Sequence, residues 1–189
     1  MLASPFWFDI IMCITLFFTM FVALPPTKIP NVHPIFIIFV ACVAILQLGL
    51  APATEIVGTD RPAYAYMFTH ADQLYNWGFR DVGFTYYLKL CDSLIGTAKG
   101  GFLISATIYV IAHIYFYSKS FNHYILYVLL LSFLSLGFSN HHYNVLRAGL
   151  SISLLLIAFS KNQKRTWRVI FSLLAISFHI SSLLVVVGY

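Results

Sequence analysis

Apolar residues in this chain fall in long unbroken runs separated by short polar interruptions. The runs cover approximately 6–24, 35–52, 102–117, 123–138, 144–160 and 168–188. Each is about the length a bilayer core of ~30 Å demands of a helix, near 20 residues. They do not alternate apolar with polar, so helices are predicted rather than the strands of a barrel. The pattern predicts an all-α fold: a polytopic integral membrane helical bundle of about six transmembrane helices, forming a single membrane domain over 1–189.

One region departs from the pattern. Residues 53–101 are mixed, aromatic-rich and too long for an ordinary connection. The segment starts GTDRPAYAYMF, which reads as a helix entry, with Thr59 or Asp60 able to cap and Pro62 suited to the first turn. Further on, VGFTYYLKLCDSLI is amphipathic and too short to span. Both pieces are predicted to lie as helices in or near the outer interface, with Tyr and Trp at headgroup depth. Gly96, Gly100 and Gly101 are expected to make the turn into the next span.

Charge placement orients the runs. Lys28 lies between the first two spans and Lys119 between the third and fourth. Lys161, Lys164, Arg165 and Arg168 follow the fifth. These connections contain no acid and alternate correctly, so all are assigned to the cytoplasmic side. The long loop then lies outside, with every acid except Asp9: Glu55, Asp60, Asp72, Asp81 and Asp92. Both termini are also expected outside.

Composition agrees. The 189 residues are 60% hydrophobic and 9% charged, with mean hydropathy +0.86, whereas soluble domains run near 25% charged. The net charge of +5 does not point to nucleic acid, because the basic residues sit in short interspan loops and form no patch. Cys13, Cys42 and Cys91 match no metal spacing and read as packing residues. No basic segment precedes the first apolar run, so it is a poor cleavable signal.

The chemistry-bearing residues fall on the outer side. Arg147 lies one turn inside the fifth span, where a charge is costly. Asn144, Arg147 and Ser151 follow i, i+3, i+7 and are expected to share one face. Arg147 either snorkels to the headgroups or lines an outward cavity, where a guanidinium can grip an anion such as phosphate through two bonds. Ser172, His179 and Ser182 are expected on one face of the last span. His179 is either hydrogen-bonded within the bundle or a proton carrier. Asp60, Arg61 and Tyr64 form either a cap with a salt bridge or a carboxylate beside a stacking ring. Asp81 offers a second carboxylate at a turn. His141 and His142 lack a third ligand, so no metal site is assigned. Asp9 is left open between an interface residue and a cavity carboxylate.

Four blocks in order, GTDRPAYAYMF, RDVGFTYYLKL, NVLRAGLS and FHISSLL, resemble the O-antigen and exopolysaccharide polymerase family of the Wzy and EpsG type. Gly58, Asp60 and Tyr64 match the first block. Asp81, Gly83 and Phe84 match the second, where the family more often has Glu for Asp81. Asn144, Arg147 and Ser151 match the third, with Ala148 where Gln is frequent. His179, Ser181 and Ser182 match the fourth. Members of the family are about twice as long, so the chain resembles an N-terminal portion of one.

The resemblance implies a glycosyltransferase that polymerises polyprenyl-diphosphate-linked oligosaccharide units at the outer face of the bacterial cytoplasmic membrane. The product would be O-antigen, capsular or exopolysaccharide. It further implies Arg147 against the lipid diphosphate, with Asn144, Ser151 and Arg61 as further substrate contacts. Asp60, Asp81 or His179 would take the acceptor proton, and Tyr64, Tyr66 and Trp77 would stack on sugar rings. No cofactor or metal is implied. The expected partners are membrane lipid and, in the same pathway, a chain-length regulator and a flippase. Rival readings are an O-antigen ligase or other lipid-linked glycosyltransferase, and a non-enzymatic transport or assembly protein. A flippase would need charge along a cavity reaching both leaflets, whereas charge inside these spans is nearly confined to Arg147 and Asp9.

Overall fold

The structure is a computed structural model and describes residues 34–55, 57–73, 81–121 and 125–188. The first predicted span, with Asp9, lies outside the described residues, as does Trp77. The described residues are mostly helical, in the order α1 (Pro34–Leu50), α2 (Arg61–Thr69), α3 (Val82–Ile95), α4 (Ala98–Phe121), α5 (Ile125–Leu134), α6 (Leu136–Tyr143), α7 (Leu146–Ala158), α8 (Arg165–Phe178) and α9 (Ser182–Gly188). No strand occurs among them.

Helix α4 is the axis of the molecule. It packs on α1 along one side and on α7 along another, and α7 in turn packs on α8. Among the described residues α4 is long and apolar enough to cross a membrane, and α1 and α7 are shorter apolar helices. The outward faces are apolar as well. Ile38, Leu131, Leu173, Leu184 and Val187 are all more than half exposed. An apolar exterior of this kind suits a lipid environment better than water.

Two cores flank α4. One joins Val40, Ala44 and Leu48 of α1 to Ala106, Tyr109 and Val110 of α4 and Leu126, Leu129, Leu130 and Phe133 of α5. The other belongs to the long loop. Helix α3 buries Phe84, Tyr87, Leu88 and Cys91, a stripe at helical spacing. These meet Tyr64 and Phe68 of α2, Phe102 of α4, and Leu146 and Leu150 of α7. The two pieces predicted to lie at the interface are seated on the bundle. Tyr87 fixes the contact by a 2.6 Å hydrogen bond between its hydroxyl and Ser105 Oγ.

Arg61 explains how α2 docks. It is fully buried. Its Nη2 donates to the carbonyls of Leu48 at 2.8 Å and Ala51 at 2.9 Å, acceptors at the end of α1 that the helix itself does not satisfy. The guanidinium also lies 3.9 Å from the centroid of the Phe102 ring. Burial pushes its pKa down to about 10, which leaves it charged at neutral pH. His142, also fully buried, faces it with Nδ1 3.5 Å from Nη1.

Several predicted boundaries differ. The apolar run 123–138 is not one helix. Ser135 adopts extended backbone and its hydroxyl caps α6 by accepting from the Phe138 N–H at 3.2 Å. The run 168–188 breaks at His179, which is extended at φ −158°, ψ 112°. Only Gly96 of the three expected turn glycines turns the chain, closing α3 in the left-handed region at φ 64°. Gly100 and Gly101 belong to the first turn of α4, and Gly101 lies flat against the Phe68 ring.

Candidate functional site

Asp81 stands at the N-terminal boundary of α3 but does not cap it. Its buried carboxylate turns instead to α7 and forms an ion pair with Arg147 Nη1. Asp81 is 7% exposed and Arg147 35%. The carboxylate of the pair is therefore buried, while the arginine side chain is partly exposed. Such a pair costs less than a lone charge among apolar helices, because each partner offsets the other's desolvation.

Tyr64 completes the setting of Arg147. Its ring is buried on Phe84, with centroids 6.0 Å apart and planes at 81°. Burial pushes its phenol pKa up, and hydrogen bonds from the Arg147 side chain and backbone pull it down. The ring is thus closed to sugar stacking, and the hydroxyl holds Arg147.

His179 approaches the same carboxylate. Its Nδ1 lies 3.9 Å from the same Asp81 oxygen and is buried without a hydrogen-bond partner. The imidazole side chain as a whole is 31% exposed. The approach rests on Gly83. A Cβ at Gly83 would lie 2.1 Å from Ser177 Oγ and 3.0 Å from the Ser177 backbone carbon. Glycine therefore lets α3 touch the last turn of α8.

The remaining predicted site residues separate into four places. Asn144 does not share a face with Arg147 and Ser151. It ends α6, with its backbone N–H on Asn140 O at 2.9 Å, and α7 begins after Val145. Its Oδ1 accepts from the Thr59 hydroxyl at 3.3 Å, beside exposed Asp60. Gly58 allows this contact, since a Cβ there would meet Asn144 Oδ1 at 2.8 Å. Ser151 is fully buried at the crossing of α7 and α8, donating to Ala175 O at 2.7 Å and meeting Ser182 Oγ. Tyr66 is exposed, stacked on His70 with centroids 4.0 Å apart. Arg61 belongs to the α1–α2 anchor.

So Asp81, Arg147, His179 and Tyr64 converge, and Asp60 and Asn144 form a neighbouring exposed rim. Among the described residues no group of three or more His, Cys, Asp and Glu is placed to hold a metal ion. Tyr64 as a clamp on Arg147 was missed by sequence reasoning, and its only signal was its spacing from Asp60.

Fold and cluster together define a class: an all-helical membrane protein with an ion pair held where apolar helices meet a folded loop. Residues 35–189 match the family model described as the EpsG family, and the chain belongs to that family. Its members are membrane proteins of polysaccharide biosynthesis, of the polymerase type. No curated protein and no solved structure matches the chain.

Proposed function

We propose that this chain carries the reaction centre of a polymerase that joins polyprenyl-diphosphate-linked oligosaccharide units at the outer face of the cytoplasmic membrane. In that topology the six spans alternate as the basic loops require, and α2 and α3 lie outside. The single observation that carries the reading is the half-open Asp81–Arg147 pair with His179 beside it.

The chemistry follows from the charges. The acceptor hydroxyl oxygen forms a bond to the anomeric carbon, and the bond from that carbon to the lipid diphosphate oxygen breaks. The diphosphate leaves with the electron pair. The partly exposed guanidinium of Arg147 receives it, where fixed donors count for most. The hydroxyl proton goes to His179 Nε2. Asp81 faces Nδ1 and orients the ring, an arrangement in which one nitrogen is held and the other is free to act as base. A movement of about 1 Å closes the 3.9 Å gap to a hydrogen bond. Asp60 and Asn144 supply polar partners for sugar hydroxyls at the rim, and exposed Tyr66 is a platform for a sugar ring.

The test is complementation. The full reading frame, with and without Arg147→Ala, is expressed in a strain that makes the cognate repeat unit but lacks its polymerase. Glycans are then resolved by length. A ladder from the parent and single units from the variant, at equal protein level, are expected. The loss should be about 100-fold or more, typical of a lost transition-state donor. A full ladder from Arg147→Ala would overturn the site. Long polymer that fails to be attached, in a strain lacking this protein, would favour a ligase.

A further inference from the structure

The last helical stretch is broken where the cluster needs a residue, and the break is held from behind. Helix α8 ends at Phe178, His179 is extended, and α9 resumes at Ser182. The broken ends are not left to themselves. Ser151, on the buried face of α7, donates to the carbonyl of Ala175, in the last turn of α8. The same hydroxyl meets Ser182, the first residue of α9. One side chain thus grips the helix on both sides of the break. Ser151 is fully buried and Ser182 is 5% exposed, so neither hydroxyl is available to a sugar. A buried hydroxyl must find such partners or cost free energy.

The clamp acts on a short corner. Ser182 N donates to His179 O at 3.0 Å, and His179 N to Ala175 O at 3.0 Å. His179 is therefore tied to both residues that Ser151 holds. Gly83 limits the corner from the opposite side, where α3 rests against Ser177. Between these two restraints the imidazole is aimed with Nδ1 toward Asp81.

We propose that Ser151 and Ser182 are positioning residues: they hold the α8–α9 break so that His179 stays oriented on Asp81. As an account of catalysis this rests on the polymerase reading above; as an account of geometry it does not. It changes the role of Ser151 from substrate contact to support. A misplacement of about 1 Å in a reacting group can cost roughly 100-fold, so a remote serine can matter greatly.

Two measurements decide it. In the first, Cys13 and Cys42 are replaced by alanine and His179→Cys is introduced. Buried Cys91 stays as an internal reference. Thiol modification by a small maleimide is timed on the purified full-length protein in detergent. Adding Ser151→Ala or Ser182→Ala should speed modification at position 179 several-fold and leave Cys91 unchanged. Equal rates at 179 with and without the serines would overturn the clamp, as would acceleration at Cys91 too, which would mean general loosening. This arm needs no polymerase activity. In the second, polymerisation is compared for Ser151→Ala, His179→Gln and the double variant in the strain above. A serine acting through His179 gives a roughly 10–100-fold loss alone and almost none on top of His179→Gln. Losses that multiply would overturn the positioning role. Ser151→Thr, which keeps the hydroxyl, should restore part of the activity. Absence of any ladder with the parent chain would count against the polymerase reading and leave the modification rates to judge the clamp.

Discussion

Two arginines lie among apolar helices here, and they are held in opposite ways. Arg61 is closed on all sides. Its donors end on the Leu48 and Ala51 carbonyls, its plane lies on Phe102, and its exposure is 0%. Arg147 has a carboxylate on one side, the Tyr64 hydroxyl on another, and keeps 35% of its side chain exposed. Partial backbone charges suffice for an arginine that ties helices together. A full counter-charge with an open edge suits one that must exchange partners with an anion. The difference separates scaffold from site more sharply than charge or burial alone.

The largest effect should come from breaking the closed arginine. Arg61→Met removes the donor from the buried Leu48 carbonyl and the half-buried Ala51 carbonyl, and its contact with the Phe102 ring. Each orphaned acceptor costs about 1–3 kcal/mol, so a loss of roughly 3–4 kcal/mol is expected. It should appear as a lowered midpoint of thermal unfolding in detergent and a reduced protein level. Arg147→Ala leaves the Asp81 carboxylate without its counter-charge, but at a partly exposed pair it should cost less stability than Arg61→Met and should remove polymer at matched protein level. If Arg61→Met were as stable as the parent, the anchor would be wrong.

His142 extends the contrast to pH. Burial, then the neighbouring Arg61, push its pKa from 6.5 down to about 3. The folded chain therefore keeps it neutral, while the unfolded chain binds a proton below pH 6.5. Its contribution is fully present above pH 6.5 and is lost as pH falls toward 3. Near pH 5 the loss should approach 2 kcal/mol at 1.36 kcal/mol per unit. Unfolding midpoints measured from pH 7.5 to 5 should fall, and His142→Gln should flatten that fall. A parallel slope in the variant would mean that another group titrates.

How much of this was legible in the sequence depends on what sets each feature. Helix α3 coincides with the amphipathic piece read from 82–95, because its stripe of Phe84, Tyr87, Leu88 and Cys91 is a local pattern. Helix α1 likewise follows its apolar run. The breaks at Ser135 and His179 were not legible, since apolar residues continue through both. Side chains make them: a serine cap in one, and a serine reaching across from α7 in the other. The stripe expected from Asn144 to Ser151 fails because Asn144 closes α6 before α7 begins. In the site, sequence spacing singled out Asp81, Arg147 and His179 one at a time. Their meeting depends on Gly83 and on the α7–α8 crossing, which no local pattern encodes. Arg61 looked like a surface partner of Asp60. Its sole cue was its spacing of three and seven residues from Tyr64 and Phe68, which places all three on the buried face of α2.

A smaller change should sharpen what the open arginine does. Arg147→Lys keeps the charge and loses the planar fork that can face Asp81 and an anion together. If Arg147 binds the diphosphate through two parallel bonds, the lysine variant should polymerise about tenfold more slowly, worth roughly 1.4 kcal/mol. Near-parental activity would make Arg147 a simple point charge.

The smallest effect is expected at the rim, and it separates the two carboxylates named from the sequence. Asp60 sits at the start of α2 with no capping bond from its side chain, exposed, near the Thr59 and Asn144 pair. Asp81 is buried and engaged with both Arg147 and His179. A carboxylate that only meets sugar hydroxyls from the rim can be replaced by an amide, which still offers an acceptor. Asp60→Asn should therefore change stability by less than about 0.5 kcal/mol, as exposed substitutions do, and slow polymerisation only a few-fold. The measurement is the rate of ladder growth at matched protein level. A loss as deep as that of Arg147→Ala would move the base from the His179 cluster to Asp60, and the open side of the site would then be the α2 entrance.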